Sequence, residues 1–239
     1  GTAYSLAFHS KISSYFIKDD HDTVCNDCYP TMNHGQLSWK EGLQIFREQV
    51  PMDDKTYRTR RWGEDLQIWI VEGRDYRSPN TMQDGPEKTI WGEAQKAWFK
   101  QSVQESDATF KVLISPTPIL GPDRSSKKDN HANQVFQHEG NELRQFCSEQ
   151  EVVLVCGDRH WQYVSYEPDM NLWEFSCGPA SDAHASGFSE DQRSSFHQYL
   201  RIIGGWMEGN VERIQGEPTL TFTHYDVEGS VQNQQQVFF

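Results

Sequence analysis

The sequence has no apolar run long enough to cross a membrane, and it has little positive charge. Among its 239 residues, 35 aspartates and glutamates outnumber 22 lysines and arginines, which gives a formal net charge of -13. A membrane span needs roughly 20 consecutive apolar residues, and no segment approaches that length. An acidic chain also repels nucleic acid and anionic membrane surfaces. These absences argue against a membrane-spanning protein and against a nucleic-acid coat protein.

Several common motifs are missing as well. The sequence has no P-loop, no dinucleotide-binding glycine pattern and no GxSxG nucleophile elbow, so kinases, dehydrogenases and serine hydrolases lose their usual support. The first residues, GTAYSLAFHSK, do not show the pattern of a signal peptide. There is no internal repeat and no obvious linker, and we expect residues 1–239 to form a single domain.

Cysteine is scarce, and its pattern is weak. The five cysteines are an odd number, and they do not reveal the redox compartment. Cys25 and Cys28 form a CxxC without a second pair at zinc-finger spacing. A metal or redox role, a disulfide and plain packing in a loop all remain open for this pair.

The spacing of apolar residues predicts an α/β fold. Strands are expected at 15–20, 66–73, 110–115 and 152–157, and helices at 37–50, 91–103 and 135–147. Alternating strands and helices indicate a largely parallel sheet. After residue 160 the pattern changes to short alternating strands with glycine-containing turns, which we expect to be antiparallel, and 225–230 is typical of a hairpin turn. We therefore expect an α/β layer at 1–160 and a β-rich second layer at 161–239.

Acidic residues and histidines follow two of the predicted strands. Asp158, Arg159 and His160 come directly after one strand, and Asp19 to Asp22 come after another. Ligands of open α/β sheets bind beyond the carboxyl ends of the strands, and hard cations take carboxylate, amide and imidazole ligands. The two clusters together predict a metal site. The competing interpretation is a solvated acidic turn and a capped strand end.

Four other residues stay ambiguous. Arg74 and Arg77 follow a third buried strand, where they could bind an anion bidentately or form an ion-pair lattice with neighbouring acids. His131 lies in a long loop, 114–134, of the kind that often faces a substrate. This histidine and His184 could each contact a ligand or be solvated.

The three strand-end motifs, DDHDTVCND, EGRDYRSPN and GDRHW, resemble in this order those of the PhoD-like alkaline phosphatase and phosphodiesterase family of metallophosphoesterases. The resemblance implies a four-layer α/β/β/α sandwich with two metal ions, iron and calcium in some members and zinc or manganese as alternatives. It implies metal ligands among Asp20, Asn26, Asp158 and His160. It also implies that His21, Arg74, Arg77, Arg159 and His160 serve the phosphate chemistry.

The sequence departs from this family in two places. Where members often carry LDTR, this chain has Glu72, Gly73 and Arg74, which indicates a different substrate range. The first metal motifs of the family would lie upstream of DDHD, where only 18 residues are present. The chain therefore resembles the C-terminal two-thirds of the catalytic domain. We expect the bridging aspartate to belong to the upstream part, lost by evolution or supplied by an upstream fragment of the same protein.

The resemblance leads to a functional hypothesis. It predicts a hydrolase of small phosphate mono- or diesters that works by in-line attack of a metal-bound hydroxide, with export to the periplasm or the extracellular space. One alternative is a non-catalytic anion-binding remnant. Another is a metal-dependent hydrolase of a different ester, such as a sulfate or a carbohydrate-linked group.

Overall fold

The computed structural model describes residues 7–50, 52–53 and 55–239. Twelve strands and three α-helices have both of their ends within that part of the chain. The helices are α1 (Trp39–Gln49), α2 (Gly92–Gln104) and α3 (Gln137–Glu149). The strands are β1 (Asn33–His34), β2 (Leu37–Ser38), β3 (Arg58–Trp62), β4 (Leu66–Ile70), β5 (Phe110–Ser115), β6 (Val152–Cys156), β7 (Gln162–Glu167), β8 (Leu172–Cys177), β9 (His197–Arg201), β10 (Trp206–Ile214), β11 (Glu217–Tyr225) and β12 (Val231–Val237).

The main sheet has seven strands in the order β3-β4-β5-β6-β8-β7-β9. Strands β4, β5, β6 and β8 run parallel, and β3, β7 and β9 pair antiparallel. Helices α2 and α3 form the two crossovers between β4, β5 and β6, as parallel neighbours require. The carboxyl ends of the four parallel strands consequently lie along one edge of the sheet.

Helices α2 and α3 cover one face of the main sheet. Trp69 and Leu113 from the strands pack in one core cluster with Phe99 from α2 and Leu143 and Phe146 from α3. All five side chains are buried. Helix α1 contributes no residue to this core cluster. It begins with a capping box, in which Ser38 and Glu41 exchange hydrogen bonds.

A smaller antiparallel sheet, β10-β11-β12, packs on the opposite face. Leu220, Phe222 and Val237 from this sheet share a core with Val164 and Phe175 of the main sheet. Two hydrogen bonds also join the sheets, one between His224 Nε2 and the Ser176 carbonyl at 3.0 Å and one from Gln162 Nε2 to the Tyr225 carbonyl at 2.8 Å. The resulting arrangement is a helix layer, a mixed sheet and a second sheet.

Two predictions from the sequence are wrong. The segment 15–20 is not a strand, because β3 occupies the sheet edge beside β4 and the segment passes it as an extended loop. The second layer does not begin at residue 161, because β7, β8 and β9 continue the main sheet and only residues from Trp206 onward form the second one. The predicted hairpin turn at 225–230 is confirmed between β11 and β12.

Across residues 7–50, 52–53 and 55–239, every helix is too short or too polar to span a bilayer.

Candidate metal centre

Loops from four parts of the chain meet at the carboxyl edge of the main sheet. They are the segment around Asp19 and Asp20, the loop after β4 that carries Arg74, the loop 116–133 after β5, and the loop after β6 that carries Asp158. The register of β5 and β6, with Ser115 beside Cys156, brings the last two loops together. This is the place where an α/β sheet presents ligand-binding side chains.

Five aspartates from these loops form an acidic cluster. Ligand atoms of Asp19, Asp20 and Asp158 lie within 4.8 Å of one another, and so do those of Asp20, Asp27 and Asp129. Asp20 belongs to both groups of three. The predicted convergence of the first and last motifs is therefore present in the structure, with Asp20 and Asp158 in contact range.

Local backbone geometry holds the cluster in place. The buried Asp20 carboxylate accepts hydrogen bonds from the backbone N–H groups of His21 and Asp27, both at 2.7 Å. Asp27 and Asp158 adopt left-handed backbone conformations, with φ of 53° and 61°. Aspartate tolerates this region better than most residues, so both turns can carry a carboxylate where glycine is otherwise common.

Arg74 lies fully buried within the cluster and bridges two of its members. Its Nε donates to Asp19, and its Nη2 donates to Asp129 Oδ2 at 3.0 Å. Burial would lower the pKa of Arg74, but these two carboxylates raise it above its usual range. Burial also raises the pKa of Asp19. Burial alone would raise the pKa of Asp129, but Arg74 and Lys127 lower it to about 2.

Arg77 is the second arginine of this motif, and it is buried as well. Its Nη2 donates to the Asp129 carbonyl at 2.7 Å, and its guanidinium lies 5.0 Å from the centre of the Phe136 ring. Burial, followed by repulsion from Arg74, lowers the pKa of Arg77 to about 10. Of the two interpretations of this motif, the ion-pair lattice matches the contacts of Arg74, whereas Arg77 donates to the backbone carbonyls of Gly73 and Asp129.

Arg159 links the last motif to the loop 116–133. Its Nη1 donates to Asp123 Oδ2 at 2.6 Å, and its Nη2 pairs with Asp158. The loop is itself anchored by the buried Glu174 of β8, which accepts backbone hydrogen bonds from Ile119, Leu120 and Gly121 at 2.7 to 2.8 Å. Arg159 therefore holds Asp158 against a fixed part of the fold.

The histidines and the asparagine expected at the centre lie farther out. His21, Asn26 and His160 are exposed, and the described residues include no histidine in either group of three. The pKa of His160 is lowered by burial and then by Arg159, Arg124, His184 and Lys127. His184, which the sequence left ambiguous, is exposed and lies two residues before Ser186, whose backbone N–H donates to the His160 carbonyl at 3.1 Å.

His131 is neither a solvated loop residue nor part of the acidic cluster. It is buried, and its Nε2 lies 2.9 Å from Glu139 Oε2 on α3. Burial lowers the pKa of His131. Glu139 also accepts a hydrogen bond from the backbone N–H of Ile90, so this pair fastens the loop to the helix layer.

Asp27 and Asp129 are not among the ligands predicted from the sequence. Asp27 stands next to Asn26 in the first motif, and Asp129 lies in a loop that was singled out only for His131. The position of that loop after a buried strand was the available signal. Cys25 and Cys28 do not form a disulfide, because all five cysteines are free. Cys28 Sγ donates to the Asp20 carbonyl at 3.2 Å.

The cluster has the charge and the free atoms that a cation requires. Among the described residues, its five carboxylates pair directly with three cationic side chains, Arg74, Lys127 and Arg159. In the same part of the chain, Asp19 Oδ2 and Asp129 Oδ1 are buried without a hydrogen-bond partner. Unpaired buried carboxylate oxygens are costly, and carboxylates are the ligands that hard cations prefer. The residues present therefore fit one or more metal ions.

The chain matches a known protein family. The sequence model of the PhoD-like phosphatase family matches residues 3–231. The chain belongs to the PhoD-like phosphatase family. The search of curated proteins gave no significant match.

Solved structures confirm the fold class of this PhoD-like chain, a mixed α/β sandwich. The structure described as that of PhoD aligns with a TM-score of 0.64 at 17% identity, over 92% of this chain and 54% of the other. A purple acid phosphatase, PPD1 from yellow lupin (Lupinus luteus) seeds, aligns with a TM-score of 0.60 at 9% identity, over 92% of this chain and 39% of the other. This chain thus spans about half the length of PhoD.

A third structure has the same fold but a different description. GAP50, described as the anchor in the inner membrane complex of Plasmodium, aligns with a TM-score of 0.53 at 14% identity, over 88% of this chain and 66% of the other. At these identities the alignments establish the sandwich fold alone.

Proposed function

We propose that this PhoD-like chain carries a metal-dependent hydrolase site for small phosphate mono- or diesters. The observation that carries the proposal is the acidic cluster, in which Asp20 belongs to two groups of three carboxylates. Membership of a phosphatase family supports the same reaction class. Export to the periplasm or the extracellular space remains a prediction.

The cluster would hold the metal through Asp19, Asp20 and Asp158 and, beside them, through Asp27 and Asp129. Asn26, next to Asp27, and His160, two residues after Asp158, stay proposed ligands at the rim. A cation bound there would supply positive charge to a phosphoryl group and acidify a nearby water. Iron and calcium are our first candidates, and zinc and manganese accept the same ligand types.

The chain's own side chains would divide the remaining work. Arg74 and Arg159 orient Asp19, Asp129 and Asp158 through the contacts described above. Arg77 would add positive charge nearby, and the buried Nη1 of Arg74 has no hydrogen-bond partner among the described residues. His21 and His160, which are both exposed, would assist the leaving group. In this assignment the arginines mainly position the carboxylates.

The test begins with metal content. The full-length protein is stripped with a chelator, reloaded separately with iron, calcium, manganese or zinc, and examined by elemental analysis and by phosphate release from p-nitrophenyl phosphate and bis-p-nitrophenyl phosphate. We expect at least one tightly bound equivalent, and two if both groups of three are filled. Activity should return only with metal.

Asp20→Asn is the informative variant, because it removes charge shared by both groups. We expect metal affinity to fall at least about tenfold and activity to fall at least about 100-fold. Asp107→Asn is the matched control, since the Asp107 side chain is 95% exposed and lies outside the cluster. Equal metal content in the wild type and Asp20→Asn would contradict the proposal.

A non-catalytic function is the second candidate, and it has one observation in its favour. Arg74, Lys127 and Arg159 already neutralise part of the acidic charge. If the full-length protein binds no metal and releases no phosphate, the anion-binding interpretation replaces the hydrolase. If it binds metal but hydrolyses only sulfate or carbohydrate-linked esters, the reaction class stands and the substrate changes.

A further inference from the structure

A cavity lies beside the loop that carries Asp129. Its volume is about 420 Å³, and its walls come from the loop 122–134 and from α3. A water molecule takes about 30 Å³ in the liquid, so the cavity can hold a small ion with several waters. The lining residues are Asp123, Ser125, Lys127, Lys128, Ala132, Asn133, Gln134, Val135, Gln137 and Arg144.

The charge of this cavity is opposite to that of the whole protein. Lys127, Lys128 and Arg144 contribute three positive charges, whereas Asp123 contributes the one negative charge of the lining. Asp123 is also occupied, because its Oδ2 accepts from Arg159 and Asn130 at 2.6 and 2.7 Å. A net positive cavity in a chain of charge -13 concentrates anions locally.

The cationic groups are held at fixed places in the walls. Arg144 Nη1 donates to the carbonyls of Ile119 and His131 at 2.6 and 2.9 Å, which fixes its guanidinium against the loop. Lys127 Nζ lies 2.7 Å from Asp27 Oδ1, so Asp27 already balances its charge, and Lys128 and Arg144 supply the net positive charge of the cavity. Lys128 is exposed and is the most available of the three.

Uncharged donors add to the same preference. Asn133 accepts a hydrogen bond from the Val135 backbone at 3.2 Å, while its Nδ2 is buried without a partner. Gln137, the first residue of the 13-residue helix α3, is also in the wall. The N-terminus of a helix carries partial positive charge, but the next N–H of this helix, that of His138, already donates to Asp84 Oδ2 at 3.0 Å. The charge of the lining and the Asn133 donor therefore carry the preference for an oxyanion.

We propose that this cavity is a second anion site, which binds a phosphate group, and that it is separate from the acidic cluster. The phosphate group would be either free phosphate or a second phosphate of the substrate, because the lining recognises the shared chemistry. Phosphate binding here does not depend on the hydrolase function. Only the substrate alternative rests on that function.

The test uses the full-length protein after chelation, so that no metal contributes to anion binding. Inorganic phosphate is titrated by calorimetry into the wild type, Lys128→Gln and the control Lys40→Gln, which changes an exposed lysine on α1. We expect one bound phosphate in the wild type, about fivefold weaker binding in Lys128→Gln because one charge-assisted contact is lost, and no change in the control. Added salt should weaken all three.

No phosphate binding by the metal-free wild type would overturn the proposal, and so would equal affinity in Lys128→Gln. Kinetics then separate the two sources of phosphate. If the substrate supplies it, Lys128→Gln should raise KM about fivefold for an ester with a second phosphate and leave KM for p-nitrophenyl phosphate unchanged. If free phosphate is the ligand, both KM values should stay unchanged while the calorimetric affinity falls. A protein without hydrolase activity would still give the calorimetric result.

Discussion

Lys18 places a positive charge in the interior of the protein, next to the acidic cluster. Its side chain is fully buried, and its Nζ lies 2.8 Å from Glu72 Oε1 and 2.7 Å from Asp75 Oδ1. Burial would lower the pKa of Lys18, but the two carboxylates raise it above its usual range. This contact ties the segment that carries Asp19 and Asp20 to the loop after β4.

Lys18→Met tests that contact. Removing one partner of a buried ion pair leaves an uncompensated charge on Glu72, and such changes cost about 3 to 5 kcal/mol. We expect a loss of that size in the free energy of unfolding, measured with urea. Lys11→Met changes an exposed lysine of the same part of the chain and should stay within about 0.5 kcal/mol of the wild type. A loss below about 1 kcal/mol for Lys18→Met would mean that Glu72 finds another partner.

The helices and buried strands follow from local sequence patterns. The predicted strand 110–115 has the bounds of β5, and the predicted helix 91–103 is shifted by one residue from α2. The loops do not follow in this way, because their contacts join residues far apart in the sequence. Asp129 meets Arg74, and Lys127 meets Asp27. No local pattern contains those pairs, so the sequence predicted Asp20 and Asp158 but not their neighbours.

Gly42 in α1 shows how an element and the metal-motif loop depend on each other. Alanine normally stabilises a helix by about 1 kcal/mol relative to glycine. A Cβ at Gly42, however, would lie 2.1 Å from the Thr23 carbonyl oxygen, three residues after Asp20. The helix backbone packs directly against the loop and leaves no room for a methyl group.

We therefore expect Gly42→Ala to destabilise the protein by about 1 to 3 kcal/mol, the range for overpacking. Because the loop must move, metal affinity should fall as well. Urea unfolding and elemental analysis measure the two effects. Gln44→Ala, on the exposed side of the same helix, should leave both nearly unchanged. Stabilisation by Gly42→Ala would show that the loop yields without cost.

The joining of the two sheets belongs to the whole molecule and could not be predicted from sequence. His224 in β11 is fully buried, bonds the Ser176 carbonyl of the main sheet and leaves Nδ1 without a partner. Alternation along β11 identifies an inward-facing position, but it does not reveal which strand lies opposite. For the same reason the layer boundary was misplaced, since β7, β8 and β9 look like the later strands yet join the main sheet.

Burial of His224 makes the contact between the sheets sensitive to pH. Burial lowers the pKa of His224 to about 4, whereas an unfolded histidine titrates near pH 6.5. Between these values the unfolded chain binds more protons than the folded one. Stability should therefore decline as the pH falls from about 6.5 to about 4, by up to about 1.4 kcal/mol per pH unit for one such group.

Urea unfolding across this pH range checks the effect with His224→Gln and the exposed control His34→Gln. In His224→Gln the decline of the unfolding free energy with falling pH should be shallower by about the contribution of one histidine. Part of it should remain, because burial also lowers the pKa of His197 to about 4. His34→Gln should keep the full wild-type decline. If His224→Gln also kept the full decline, the proton taken up on unfolding would belong to another group. The contact between His224 and Ser176 would then not make the joining of the sheets dependent on pH.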